Sequence, residues 1–164
     1  MYDVLTLQAW IQAVYNNDPA TAGARLWMEP YEYLATFTAF NGVSGNASQV
    51  IQINAVSDFF CTRIAYQAGL GTVQTVGSMP IVQARLQVTD TGSGNQFFNA
   101  PVMLENVAAH AYFNQHLPMP RYCAANTSLN VQLTAAGTGA ETFSFIDVTL
   151  EGVRVRKFSN GVNG

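Results

Sequence analysis

What this chain is short of is charge. Lys, Arg, Asp and Glu make up 10% of its 164 residues, against roughly 25% in an average soluble domain. Both signs are scarce. Seven basic and ten acidic residues leave a net charge of −3, so no basic footprint exists to displace counterions from phosphates, and direct nucleic-acid binding is not expected. Cysteine is nearly missing: Cys61 and Cys123 are too few for a disulfide framework and read as packed, reduced thiols. No run approaches the roughly 20 apolar residues of a membrane-crossing helix, and no basic segment precedes the first apolar residues. Synthesis in a cytosol and no membrane partner are the expectations that follow.

Amides fill the gap that charge leaves. Thirteen Asn and eleven Gln outnumber the seventeen charged residues. An uncharged hydrogen-bonding surface can be covered by a partner at far lower desolvation cost than one of Lys and Glu. It suits a protein that spends its life in contact with other proteins. The one basic cluster, Arg154, Arg156 and Lys157, lies near the C-terminus, where spacing by two puts both arginines on one face of a strand, read as the solvent face.

Two textures divide the chain. In residues 1–30, Val4, Leu7, Trp10, Ile11 and Val14 stand at helical spacing behind Asp3, a candidate N-cap. An N-terminal arm or short helix is expected there, broken by Asn16-Asn17-Asp18-Pro19. From residue 31 to 164 the period is two. Val82, Ala84, Leu86 and Val88 alternate with Gln83, Arg85, Gln87 and Thr89, one face dry and one wet. Residues 129–133 repeat the pattern, and further strands are expected at 33–40, 50–56, 59–66, 101–104 and 143–156. In the last of these the apolar phase slips near Phe145 and again at Gly152, which predicts a β-bulge at each. Turns are expected at 42–45, 69–71, 90–95 and 135–140. Short strands between Gly- and Asn-rich turns, with no helix after residue 30, give an all-β fold: an antiparallel β-sandwich, jelly-roll-like, carrying its arm in front.

Candidate chemistry is thin. Gly92-Ser93-Gly94 lacks the Lys and length of a phosphate loop and the frame of a nucleophile elbow. It reads as a β-turn that Asp90 caps. His110 and His116 are six apart, not at the i, i+4 spacing that would aim two ligands from one helix face. No catalytic, cofactor-binding or metal-binding residue is therefore assigned, and a non-enzymatic protein is expected. The candidate site is an interface instead. Trp10, Trp27 and Tyr31 crowd the arm and its junction, and such residues serve equally as hot spots or as core. Leu117-Pro118-Met119-Pro120 forces an extended segment that cannot lie inside a sheet, so it is either a stiff connector or an edge offering Arg121 and Tyr122 to a partner.

One stretch resembles a known family. Residues 86–102, Leu-Gln-Val-Thr-Asp-Thr-Gly-Ser-Gly-Asn-Gln-Phe-Phe-Asn-Ala-Pro-Val, are followed by Glu105-Asn106-Val107, by Leu117-Pro118-Met119-Pro120-Arg121 and by Ser128-Leu129-Asn130-Val131-Gln132-Leu133. Together with the closing Val148-Thr149-Leu150-Glu151-Gly152-Val153 they are similar to the capsid cement, or decoration, proteins of tailed bacteriophages. The likeness covers about residues 80–157 and consists of turn and strand signatures. It implies a virion structural protein on the capsid surface, bound to the major capsid protein, bridging capsomers and stabilising the head as a homo-oligomer, with a trimer favoured. The alternative is a neck, tail or host-binding virion protein whose jelly roll binds glycans.

Overall fold

In the structure, a computed structural model describing residues 4–70, 80–110, 116–139 and 141–158, the elements run in chain order as α1 (Val4–Asn16), β1 (Arg25–Asn41), β2 (Asn46–Gln52), β3 (Asp58–Leu70), β4 (Ala84–Asp90), β5 (Val102–Met103), α2 (Leu104–Val107), β6 (Ala108–His110), β7 (Arg121–Cys123), β8 (Ser128–Ala135) and β9 (Thr142–Phe158). Each expected strand has a counterpart, but the one expected at 50–56 ends at Gln52, the one expected at 101–104 is only Val102–Met103, and β6 and β7 were not foreseen. The helical spacing near the N-terminus becomes α1, with Leu7, Trp10, Ile11 and Val14 packed inward, while Asp3 lies outside the described residues. The boundary expected at residue 30 falls inside β1.

The strands make two sheets, one ordered β1-β9-β3-β6 with β7 also on β3, the other β2-β8-β4-β5. Because β6 and β7 share one edge of β3, these are eight positions. The pairs nest: β1 with β9, β2 with β8, β3 with β7, and β4 with β5. A chain folded into one long hairpin and then rolled so that successive pairs fall in alternate sheets gives this order. It is the jelly roll that the alternation suggested.

The core between the sheets follows period two. Ala84, Leu86 and Val88 on β4 and Leu129, Val131 and Leu133 on β8 are fully buried. Gln87, expected on the wet face, is also buried, because the connector after β4 folds back over it and the Phe98 carbonyl accepts a hydrogen bond from its Nε2 at 3.1 Å. The expectation of no helix beyond residue 30 is corrected by α2, a single turn that seats Leu104 in the core.

The two phase slips in β9 have different causes. Near Phe145 the bulge is present: Gly69 opposes Phe145 and Leu70 opposes Phe143, leaving Ser144 as the extra residue, its Oγ bonded to the Gly69 carbonyl at 2.9 Å. At Gly152, β9 itself is regular and stays in register with β1. The extra residue there is Thr62, on β3, between Cys61 opposite Gly152 and Arg63 opposite Glu151. This bulge lets Phe59 and Cys61 share the sandwich core with Ile64 and Tyr66 despite their opposite parity. It also drives β3 against β9 so closely that a Cβ on Gly152 would stand 2.0 Å from the Phe60 carbonyl oxygen. Val153 and Val155 change phase because the outer face of the sheet is itself covered there, by α1.

Candidate functional site

The outer face under α1 is a second, small core. Ile11 and Tyr15 of the helix meet Phe60 and Val155, all buried, with Leu26 and Met28 of β1 packed at its margin. Phe60 is the hub. Trp10 lies edge-on to it at 5.7 Å between ring centroids, Tyr15 at 6.0 Å and Tyr122 at 5.2 Å. Of the five candidate interface residues, the fold therefore unites Trp10 and Tyr122. Trp10 is half-buried and Tyr122 remains 46% exposed. Arg121 is exposed beside them on β7, an edge strand paired with β3, and the prolines before it stay outside the sheet as expected.

Tyr31 is not part of this group. It faces the sandwich side, edge-on to Tyr33 at 4.9 Å, with the Arg154 guanidinium 4.2 Å above its ring. Arg154 donates from Nε and Nη2 to Glu29 Oε1 at 2.8 and 2.6 Å, and Arg156 stands 3.9 Å from the same oxygen. Arg154 and Arg156 do share a face, but not the solvent face expected of them: the Arg154 side chain is only 13% exposed. Lys157 reaches Asp58 at 3.1 Å. Each cation of the basic cluster is thus matched by an acid within the fold.

Trp27 lies apart again, 58% exposed, on the other flank of α1. A groove of about 530 Å³ runs there between Leu5, Gln8, Ala9 and Gln12 of the helix and Leu26, Trp27 and Met28 of β1. A smaller apolar pocket of about 180 Å³ separates Thr6, Leu7 and Trp10 from Pro118, Met119 and Pro120. The helix is therefore flanked on both sides by accessible apolar surface, including Leu5 and Met119, 72% and 60% exposed.

Sequence reading missed Asp58. Its carboxylate is 2% exposed and gathers three donors: the Tyr15 hydroxyl at 2.5 Å, the Ala125 backbone N–H at 2.8 Å, and Lys157 at 3.1 Å. These come from α1, the loop before β8, and β9, so one buried carboxylate ties three segments to the start of β3, with the Tyr122 hydroxyl of β7 near enough to feel its charge. Burial, and then donation to Asp58, pushes the Tyr15 hydroxyl far above its ordinary pKa. Tyr122 is pushed up to about 12, by burial first and by Asp58 second. The available signal was an acid set directly against Phe59-Phe60-Cys61, a context in which a carboxylate is buried and must find donors.

The other candidates take structural roles. Asp90 accepts from Gly92 N–H at 2.9 Å and from the Ser93 hydroxyl at 2.8 Å, closing the expected turn, in which Gly94 takes φ +71°. Cys61 and Cys123 are free thiols buried in the main core; burial raises both pKa values, that of Cys123 to about 12. Burial lowers the pKa of His116, while the His110 side chain lies outside what is described. Among the described residues no three His, Cys, Asp or Glu side chains are grouped to hold a metal ion, and no helix is long and apolar enough to cross a membrane.

No protein-family model and no curated protein matches the chain. Among solved structures, a chain in the structure of infectious bursal disease virus Gx strain is similar over 85% of this chain, at 12% identity and a TM-score of 0.30. This chain spans 38% of that one's length, and a likeness this faint carries no argument about function.

Proposed function

We propose that this chain is a non-enzymatic virion structural protein, a jelly roll of the cement type that binds the major capsid protein of a tailed bacteriophage and bridges capsomers as a homo-oligomer. The observation that carries the reading is the nested strand order combined with a surface poor in charge, on which the C-terminal basic cluster is paired with acids of the fold and large apolar side chains such as Leu5, Trp27 and Met119 stand exposed. Fold alone does not give function. What narrows it is the resemblance of residues 80–157 to cement proteins, supported by the placement of exposed apolar side chains on both flanks of α1. Many weak, simultaneous contacts across capsomer boundaries would hold a pressurised shell by avidity, because all must fail together.

The test is a particle reconstruction. Heads stripped of this chain are incubated with the purified protein and imaged beside heads left bare. Density bridging capsomers, with increased resistance of the heads to heat, is the expected result. Density confined to the neck or tail, or binding to host glycans with none to heads, would replace the cement reading.

A further inference from the structure

The groove beside α1 is lined by Leu26, Trp27 and Met28. Successive residues of a strand point to opposite faces, so a groove that touches all three runs along the strand's edge. That edge is open: among the described residues β1 ends its sheet, with β9 on one side and no strand on the other. Seventeen residues make it long beside the roughly 3–10 of most strands, and an open edge is a template for a further strand.

Pro30 fixes which backbone groups face outward. It sits within β1 opposite Val153, in a ladder to β9 that continues on both sides. A proline is tolerated there only with its nitrogen turned toward the open edge. In an antiparallel ladder the backbone groups alternate in direction, so Leu26, Met28 and Glu32 also aim N–H and C=O outward, whereas Trp27 and Glu29 aim theirs at β9.

We propose that two copies of this chain pair through β1, antiparallel about a two-fold axis at Trp27. A two-fold perpendicular to the sheet places residues of like parity opposite one another. Centred on Trp27, it sets Leu26 against the second copy's Met28, both with outward backbone groups, so each such pair exchanges two hydrogen bonds. It sets Arg25, which is exposed, against Glu29 of the second copy, twice; Glu29 holds Arg154 through Oε1, which leaves Oε2 to face the second copy's arginine. Trp27 meets its own symmetry mate as a non-hydrogen-bonded pair, the kind in which side chains stand closest. Neighbouring registers lose this match: centring on residue 25 opposes arginine to arginine, and centring on residue 29 opposes glutamate to glutamate. The ladder weakens at Pro30, which offers no donor, and Leu5 on each helix is covered as the groove fills. The pairing assigns a dimer where the family resemblance implies a trimer.

The purified full-length chain tests this without any particle, so its outcome is separate from that of the cement reading. Sedimentation should show a dimer. Arg25→Glu, an exposed change, opposes acid to acid at both ends of the ladder and should weaken dimerisation roughly tenfold. Trp27→Cys should form an inter-chain disulfide on mild oxidation, because the two Cα atoms stand about 4.5 Å apart in such a pair, while Leu34→Cys on the same strand should not. A monomer, a trimer, an unchanged association in Arg25→Glu, or equal cross-linking through position 34 would each overturn the proposal.

Discussion

The two faces of the sheet that contains β9 are packed in different ways. Its inner face joins a core of 26 buried residues reaching across both sheets, whereas its outer face holds four, Ile11, Tyr15, Phe60 and Val155, under a single helix. The large core is apolar nearly throughout and distributes its stabilisation. The small one concentrates it: two helix side chains, worth roughly 1.5–3 kcal/mol each on full burial, and one buried carboxylate. Regions held by few contacts open locally, below the free energy of global unfolding. The difference predicts that α1 undocks at a lower free energy than the sandwich unfolds.

The largest effect that could break this distinction comes from matched truncations. Leu150 is fully buried in the large core and Ile11 in the small one. Leu150→Ala should cost roughly 3–4 kcal/mol and move every unfolding probe together. Ile11→Ala should cost roughly 2 kcal/mol, charged mainly to the docking of α1: protease cleavage in residues 17–24 should accelerate while Cys61 and Cys123 stay protected from thiol reagents. Equal loss of thiol protection in both variants would show one cooperative unit instead of two.

Asp58→Ala sharpens the same contrast from the polar side. The change strands the Tyr15 hydroxyl, the Ala125 N–H and Lys157 around an empty position. Removing one partner from a buried charged network should cost roughly 3 kcal/mol, and unlike Ile11→Ala it should disturb the large core too, because Ala125 belongs to the loop that leads into β8. Hydrogen exchange resolves the two: faster exchange is expected both in α1 and at the start of β8. Exchange altered in α1 alone would reduce Asp58 to a helix anchor.

The alternation of β4 and β8, the turn at Asp90 and the helical spacing of α1 were legible because each is written in local sequence. The second slip of β9 was not. Val153 and Val155 announce a change of face, yet a bulge in their own strand and a second layer on the outer face leave the same trace, and only the position of a segment more than 100 residues away decides between them. The extra residue, Thr62, lies in another strand for the same reason. Among the five interface candidates, helical period and strand parity could say which way a side chain points but not what lies there. Tyr31 met Arg154, Trp10 and Tyr122 met Phe60, and Trp27 met solvent. Asp58 escaped because its three donors come from three separate segments.

The smallest effect is a titration. In the small core Tyr15 and Tyr122 both face Asp58, and both hydroxyls hold their protons more tightly than an unfolded tyrosine, whose pKa is about 10. A group whose folded pKa is raised above its unfolded value stabilises the fold fully below the unfolded pKa and loses that contribution as pH climbs toward the folded one. The folded state then binds more protons than the unfolded, so stability falls with pH, by up to about 1.4 kcal/mol per unit for each such group. Tyr66 in the large core carries the same liability, raised by burial and then by its bond to Glu105, so the wild-type curve alone cannot separate the cores. Tyr15→Phe does, because it removes one hydroxyl from the small core and leaves Tyr66 in place. Between pH 10 and 12, unfolding free energies from denaturant titrations should fall less steeply in Tyr15→Phe than in the wild type, even though the variant starts lower at neutral pH for want of the bond to Asp58. Parallel curves would mean that Tyr15 ionises as freely in the fold as out of it, and that α1 is already released before the titration begins.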